Sequence, residues 1–334
     1  MLGARYLAVL SILFVIAVSG CISPQAQSGG VTIEAFTTDL QVSEIYSGEP
    51  VAFQLKFRNT GSVRAENVFA ELFGLDESWC CELVGISNEG PWTSSKEKLP
   101  NEEGCRYSGQ GLSLLPPDPQ AGTSGETSTC TWSYRTPSIP KNLPSVPFTP
   151  TVRLYYTYKT IVSELITFGS HQDLRAVQNT GGTLPVSTTS STASPISLSL
   201  QTKSPIRFWT SGDGTGEVTF SVVIDINNAG GGMACASDSG LFKSCKLPVG
   251  GEGSKNKIIL KITPGSGLQL QGECSDFVGG KIITLWKGES NSISCDVKAT
   301  GLEQTGSVQR TITVEASYEY AIDSSITIRI VGVE

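Results

Sequence analysis

Residues 151–168 read TVRLYYTYKTIVSELITF. Val152, Leu154, Tyr156 and Tyr158 alternate with Arg153, Tyr155, Thr157 and Lys159. A period of two puts the first set on one face of a strand, against a core, and the second set on the other. A matching stretch, TITVEASYEYAIDSSITIRIV at 311–331, sets Ile312, Val314, Ala316, Tyr318 and Tyr320 against Thr313, Glu315, Ser317 and Glu319. The two Tyr-x-Tyr steps lie 162 positions apart. Further β-prone residues follow each, ending at Phe168 and Val331, so the pattern predicts a closing hairpin in each half, one face buried and one in solvent.

Working outward, PVAFQLKFRNTG (50–61) aligns Val51, Phe53, Leu55 and Phe57 on one face and stops at Asn59-Thr60-Gly61. EVTFSVVIDINNAGG (217–231) does the same with Phe220, Val222, Ile224 and Ile226 and stops at Asn228-Ala229-Gly230, 169 positions later. Each half opens on another alternating run, VTIEAF from Val31 and ISLSLQT from Ile196. Between the halves, NTGGTLPVSTTSSTASP (179–195) has no charge and no apolar period, and reads as a flexible connector. The shared order of strand, Asn-x-Gly turn, four cysteines, Tyr-x-Tyr and last strand indicates duplication. The chain divides into 1–20, a signal; 21–30, a tether; 31–172, a first domain; 173–195, the linker; and 196–334, a second domain.

Only 16% of the 334 residues are charged, and the formal net charge is −7. No basic block is present to neutralise phosphates, so the composition argues against nucleic-acid binding. Arg5, an apolar run from Tyr6 to Val18, then Ser19-Gly20-Cys21 has the order of a secretory signal. The run is short for a membrane span. Val18-Ser19-Gly20-Cys21 resembles a lipoprotein signal, and GCI after such a run resembles archaeal surface lipoproteins. That resemblance implies a lipid on Cys21; the other reading is an uncleaved helical anchor. Both place the body outside the cytoplasmic membrane.

Eight further cysteines fall four to a half: Cys80, Cys81, Cys105 and Cys130, then Cys235, Cys245, Cys274 and Cys295. An even four per half in an exported chain predicts two disulfides per domain. No Cys-x-x-Cys is present to suggest a metal. Adjacent Cys80 and Cys81 cannot close on each other without strain, so they are expected to pair outward, to Cys105 and Cys130. Equivalent positions in the repeat extend this to Cys235 and Cys245, pairing with Cys274 and Cys295, although a local Cys235–Cys245 staple is sterically open.

The fold class expected is all-β, two tandem immunoglobulin-like antiparallel sandwiches. Ser47-Gly48-Glu49-Pro50-Val51, Phe57-Arg58-Asn59-Thr60-Gly61 and Ala65-Glu66-Asn67-Val68 resemble the Ig-like modules of prokaryotic cell-surface proteins, both the adhesion-related class and archaeal surface-layer repeats. The resemblance implies a surface role in adhesion, spacing or scaffolding. Catalytic candidates are few. The single histidine, His171, borders the linker; Asp76 and Glu77 point to opposite faces if extended; Glu102 and Glu103 sit in a polar loop. Ser211–Glu217 (SGDGTGE) lacks the repeated ligand spacing of a calcium loop and the Gly-Lys-Ser/Thr of a phosphate loop. Trp132, two after Cys130, is the expected core tryptophan, and Trp92 is the expected exposed contact for a glycan or protein. The reading is therefore non-enzymatic, with no cofactor and no metal. It describes an anchored structural or adhesive protein, with a binding subunit of a surface assembly or a filament subunit as the alternative.

Overall fold

The computed structural model describes residues 29–333 apart from 41–43, 77, 80–91, 95–103, 108–111, 144, 184–185, 211–214, 237–244, 246–253 and 304–305. The signal, Cys21, Cys80 and Cys81 lie outside the described residues, as do the side chains of Trp92 and Cys105. In chain order the strands are β1 (Val31–Thr38), β2 (Glu44–Tyr46), β3 (Pro50–Asn59), β4 (Ala65–Phe73), β5 (Trp92–Ser94), β6 (Gly104–Tyr107) and β7 (Leu112–Leu114). There follow β8 (Thr127–Arg135), β9 (Val146–Phe148), β10 (Thr151–Ser170), helix α1 (His171–Asn179) and β11 (Thr188–Ser191). The second half holds β12 (Ile196–Gln201), β13 (Ile206–Thr210), β14 (Thr215–Asn228), β15 (Met233–Cys235), β16 (Lys257–Pro264) and β17 (Leu268–Leu270). A 3-10 helix (Gly272–Val278), β18 (Lys281–Thr284), β19 (Ser290–Glu303), β20 (Ser307–Ser325) and β21 (Ile328–Val331) complete it.

The alternation in 151–168 is realised, but not as a hairpin. β10 runs unbroken for 20 residues. It pairs with β20 antiparallel from Thr151↔Ser325 to Gly169↔Ser307, without a register shift. Val152, Leu154, Tyr156, Tyr158, Val162, Ile166 and Phe168 all face the core. The physical reason is local: Lys159, Thr160 and Ile161 supply none of the turn chemistry a reversal needs, and two of them are β-branched. The strand therefore continues into the other half, where Phe168 packs on Phe220 with ring centroids 5.5 Å apart.

The exchange is reciprocal. The end of β10 pairs parallel with β13 of the second half, Phe168 opposite Ile206. β21, which ends the chain's strands, pairs parallel with β2 of the first half, Ile330 opposite Ile45. Phe168 and Ile330 are 162 positions apart, and Ile45 and Ile206 are 161 apart, so the two pairings are copies of one another. Around β10–β20 the layers differ. β1, β3 and β8 form a three-stranded sheet facing the first part of β10. In the second half β14 and β19 join the large sheet through β13, which pairs with both β10 and β14, so this sheet curls on itself like a half-barrel. One curled sheet thus runs through both halves, where two separate sandwiches were expected. The stretch 173–195, read as a flexible connector, carries most of α1 and all of β11, and β11 pairs with Val162–Leu165 of β10.

Four tyrosines gather where β10 and β20 cross the middle. Tyr156 lies opposite Tyr320 and Tyr158 opposite Tyr318. Their ring centroids are 5.7 and 6.5 Å apart across the ladder, and 5.9 and 6.0 Å along the strands. Each buried hydroxyl needs a partner. Tyr158 Oη accepts from Val63 N, and Tyr320 Oη accepts from Gly232 N, 169 positions further on. Tyr318 Oη accepts from Ile196 N and shares a bond with Thr160 Oγ1, while Tyr156 Oη donates to Val31 O.

The Asn-x-Gly turns meet these tyrosines. Asn59 Nδ2 donates to Val63 O and Leu114 O, and Asn228 Nδ2 donates to Gly232 O and Gly288 O. The glycine is required by close approach: a Cβ on Gly61 would sit 2.0 Å from Tyr158 Oη, and one on Gly230 2.6 Å from Tyr320 Oη.

Two disulfides are described completely, Cys235–Cys245 and Cys274–Cys295. This corrects the outward pairing expected in the second half. Cys235 and Cys245 lie in a small cluster with Phe69, Tyr155 and Ala321, whereas Cys274 and Cys295 belong to the main core, so the two pairs never meet. Cys130 is disulfide-bonded as well. The first-half pairing depends on Cys80, Cys81 and Cys105 and falls outside the described side chains.

Two measurements follow. A protease site inserted at exposed Gly181–Gly182 should give, after cleavage, two fragments that co-elute on gel filtration under native conditions and separate only in denaturant; fragments that part without denaturant would show that the exchanged strands do not hold the halves. The tyrosines set an alkaline limit. Burial pushes Tyr158 and Tyr320 up to about 12 from an ordinary value of 10, against the opposing pull of the backbone N–H groups that donate to them. The fold therefore favours the neutral phenols; this stability is intact below pH 10 and is lost as pH rises toward about 12. Phenolate absorbance should rise together with loss of β circular dichroism, and ionisation of every tyrosine near pH 10 with the fold intact would contradict it.

Candidate functional site

The Asn228 corner opens onto a cavity of about 800 Å³. β14 supplies Asn227 and Asn228, the following turn Gly231 and Gly232, and the approach to β16 Lys255 and Asn256. The turn between β18 and β19 supplies Lys287, Gly288 and Glu289, and the central ladder supplies Arg153 and Asp323. A second cavity of about 710 Å³ shares Asn227 and Lys287 with the first and adds Asp225, Trp286, Asn291 and Ser292. The two form one groove along an edge of the second half.

The groove exists because the repeat is filled differently in its two copies. In the first half, Ser62 N donates to Ala193 O, Ala193 N donates to Ser62 Oγ, and Thr192 N donates to Ile161 O. The counterparts of Ser62 and Ile161 are Gly231 and Asp323, which line the open cavity.

The wall is rigid. Leu285 N donates to Asn256 O, Gly288 N to Leu285 O, and Glu289 N to Trp286 O. Among the described residues three non-glycines have positive φ, Asn67, Asn256 and Lys287; the last two, at 58° and 50°, stand in this wall. Such backbone persists only where the surroundings over-determine it. The tight turn leaves Trp286 72% exposed, its indole beside the second cavity.

The charges are unequally committed. Arg153 Nε and Nη2 bind Asp323 Oδ1 and Oδ2 at 2.6 and 2.7 Å. That bond raises the guanidinium pKa, although partial burial opposes it. Both carboxylate oxygens of Asp323 are thereby engaged by Arg153. Asp225 accepts from Ser292 Oγ and Gln201 Nε2. The side chains of Asn227, Lys255, Lys287 and Glu289 make no hydrogen bond or ion pair with described residues. The arrangement offers donors, an amide and a flat aromatic face, which is equipment for holding a ligand.

The residues singled out from sequence fall elsewhere. Trp92 lies in β5 with its backbone opposite Tyr107, and its side chain is outside the described set. Trp132 is buried. His171 begins α1 and stacks on the exposed Trp209 at 4.0 Å between centroids; desolvation, with Arg175 and Arg207 near, lowers its pKa. Asp76 Oδ1 accepts from Ser78 N, and Glu77 lies outside the described residues. Residues 211–214 of the glycine-rich stretch, and Glu102 and Glu103, are outside the described residues. Among the described residues no group of three or more His, Cys, Asp or Glu is placed to hold a metal, and no helix is long and apolar enough to cross a membrane. Trp286 was missed. Its sequence signal was weak but present: Leu285-Trp286-Lys287-Gly288 puts an aromatic immediately before Lys-Gly, a turn pair.

No family model matches the chain, and no curated protein does. Solved structures that align with it include collagen adhesin from S. aureus, 10% identical, covering 92% of this chain and 94% of that one, with a TM-score of 0.17. Escherichia coli alpha-2-macroglobulin activated by porcine elastase is 11% identical, covering 91% of this chain and 33% of that one, with a TM-score of 0.18. Superpositions this loose carry no argument about fold or function. The class defined by the coordinates is a disulfide-stabilised, predominantly β protein built on one curled sheet.

Asn228→Ala tests the corner that shapes the site. It removes the donor to Gly232 O and Gly288 O and the acceptor for Tyr320 Oη. Groups left unpaired cost roughly 1–3 kcal/mol each, so the midpoint of denaturant unfolding should fall clearly. An unchanged midpoint would show that the corner contributes nothing.

Proposed function

We propose that this chain is a non-enzymatic protein of the cell exterior, held to the outer face of the cytoplasmic membrane through Cys21, that presents a pair of exchanged immunoglobulin-like units for adhesion. The observation that carries the reading is the groove beside Asn228. It joins unpaired lysines and an amide to an exposed indole on a rigid turn, and its central carboxylate is committed to Arg153. Such a surface recognises without transforming. The disulfides suit an oxidising compartment. The apolar run closed by Ser19-Gly20-Cys21 supports the anchor. Two copies of one Asn–Gly–Tyr framework support the immunoglobulin-like description of each unit.

Cys21→Ser separates the anchor readings. The variant body should appear in the soluble fraction of cells while the native protein stays with membranes. A variant that remains membrane-bound and retains residues 1–20 would replace the lipid by a helix, and a native protein found in the cytoplasm with its cysteines reduced would overturn the proposal.

A further inference from the structure

We propose that the groove running from Lys255 to Trp286 is a binding site for an acidic polysaccharide, with a sugar ring stacked on Trp286 and a uronate carboxylate held by Lys255 and Lys287. This deepens the adhesive reading and rests on it for its setting, but its chemistry is argued from the groove alone.

The indole of Trp286 is 72% exposed. Exposure alone is common, but its surroundings decide what it fits. A protein-binding tryptophan is usually ringed by apolar neighbours that exclude water. The side chains that share its cavity are mixed: Ile226 and Leu285 give an apolar base, and Asp225, Asn227, Thr284, Ser290, Asn291 and Ser292 are hydrogen-bonding groups. A pyranose has this double character. Its axial C–H bonds carry partial positive charge toward the negative face of an aromatic ring, while its equatorial hydroxyls need donors and acceptors around the rim. Asn227, whose amide has no partner among the described side chains, stands where the two cavities meet.

The charge is argued from the first cavity. Its ionisable lining residues are Arg153, Lys255, Lys287, Glu289 and Asp323. Arg153 and Asp323 neutralise each other at 2.6 and 2.7 Å. Within this cavity two lysines then face one glutamate, a positive excess confined to the first cavity, since Asp225 adds a carboxylate to the second. That excess favours a carboxylate on the ligand over a neutral sugar. Lys287 is held in left-handed backbone at φ 50°, on the same tight turn that displays Trp286, so the backbone positions of the two residues are fixed with respect to one another. Fixing both before the ligand arrives lowers the ordering cost of binding. The cavities, about 800 and 710 Å³, are each of the size that accommodates a small-molecule ligand, and together they suit a short run of sugars.

The test uses the purified, disulfide-intact chain in gels cast with alginate, a polyuronate, or with dextran, a neutral glucan. Alginate should retard the chain and quench part of its tryptophan fluorescence, less so as salt is raised; dextran should do neither. Trp286→Ala should weaken alginate binding about tenfold or more. The double variant Lys255→Ala, Lys287→Asn should abolish the preference for alginate over dextran; asparagine tolerates the left-handed position, so the turn survives. Native disulfides and melting of each variant establish that it is folded. Absence of retardation by alginate, equal retardation by dextran, or alginate binding unchanged in folded Trp286→Ala would each overturn the proposal. Because the assay uses the released body, such a failure leaves the Cys21 membrane test standing as the separate judge of surface location.

Discussion

Four tyrosine hydroxyls buried on one ladder are the constraint from which the rest of the fold can be derived. A phenol taken out of water without a partner is destabilising, so each must be met by a group reaching in from another strand. Each meets one backbone group, Val31 O and Ile196 N where the two halves begin, Val63 N and Gly232 N where their turns end, and Tyr318 and Tyr320 bond Thr160 and Asn228 side chains besides. Meeting them fixes where β1 and β12 start and how β3 and β14 turn toward β4 and β15. It also fixes composition: asparagine to tie the turn, and glycine because the hydroxyl occupies the space a Cβ would take. A single substitution at Asn59, Gly61, Asn228 or Gly230 therefore disturbs a strand start, a turn and the centre of the sheet together.

The same ladder explains why the halves exchange strands. Neither Tyr-x-Tyr stretch contains a reversal, so each continues past its own half and finds its remaining partners in the other. Phe168 then packs on Phe220 of the second half, and Ile330 pairs with Ile45 of the first. Exchange in both directions makes the two halves interdependent through backbone hydrogen bonds, with the connecting chain a secondary link. The disulfides lie away from this junction. Cys235–Cys245 ties the end of β15 to Cys245, whose N–H donates to Glu319, and Cys274–Cys295 pins the 3-10 helix to β19.

Much of this was legible in the residues. Alternation placed Val152 to Tyr158 and Ile312 to Tyr320 on the core face, as found, but Tyr155 and Glu319, expected in solvent, are buried as well beside Cys235 and Cys245. The repeat of Asn-x-Gly and Tyr-x-Tyr was visible, but the two motifs were read as separate signs of a strand end and a strand, whereas hydrogen bonds join them. The hairpin was an error of supposing that a long alternating run must fold back; the missing turn residues at 159–161 argued otherwise. Cysteine pairing failed for a different reason. Spacing along the chain says nothing of which face of a sheet a residue occupies, and Cys235 and Cys295 are in different cores. The groove was the least legible part, because it is assembled from β10, β14, β19, β20 and three connecting segments that are distant in sequence, and its indole was marked only by Lys-Gly beside it.

A duplicated scaffold with one open groove shows how the parts divide the work. The framework bonds recur in both halves and set the shape. The differences between the copies set the surface: Ser62 against Gly231, Ile161 against Asp323, Leu114 against Gly288. In the first half the changes let Thr192 and Ala193 dock and close the space. In the second they strip side chains from the turn and bring Arg153 and Asp323 to the floor of a cavity. With Arg153 and Asp323 paired to each other, Lys255, Lys287 and Glu289 remain as the uncommitted charges of that cavity. The surface thus departs from the repeat at this corner, while the tyrosines that hold the repeat together are kept in both halves.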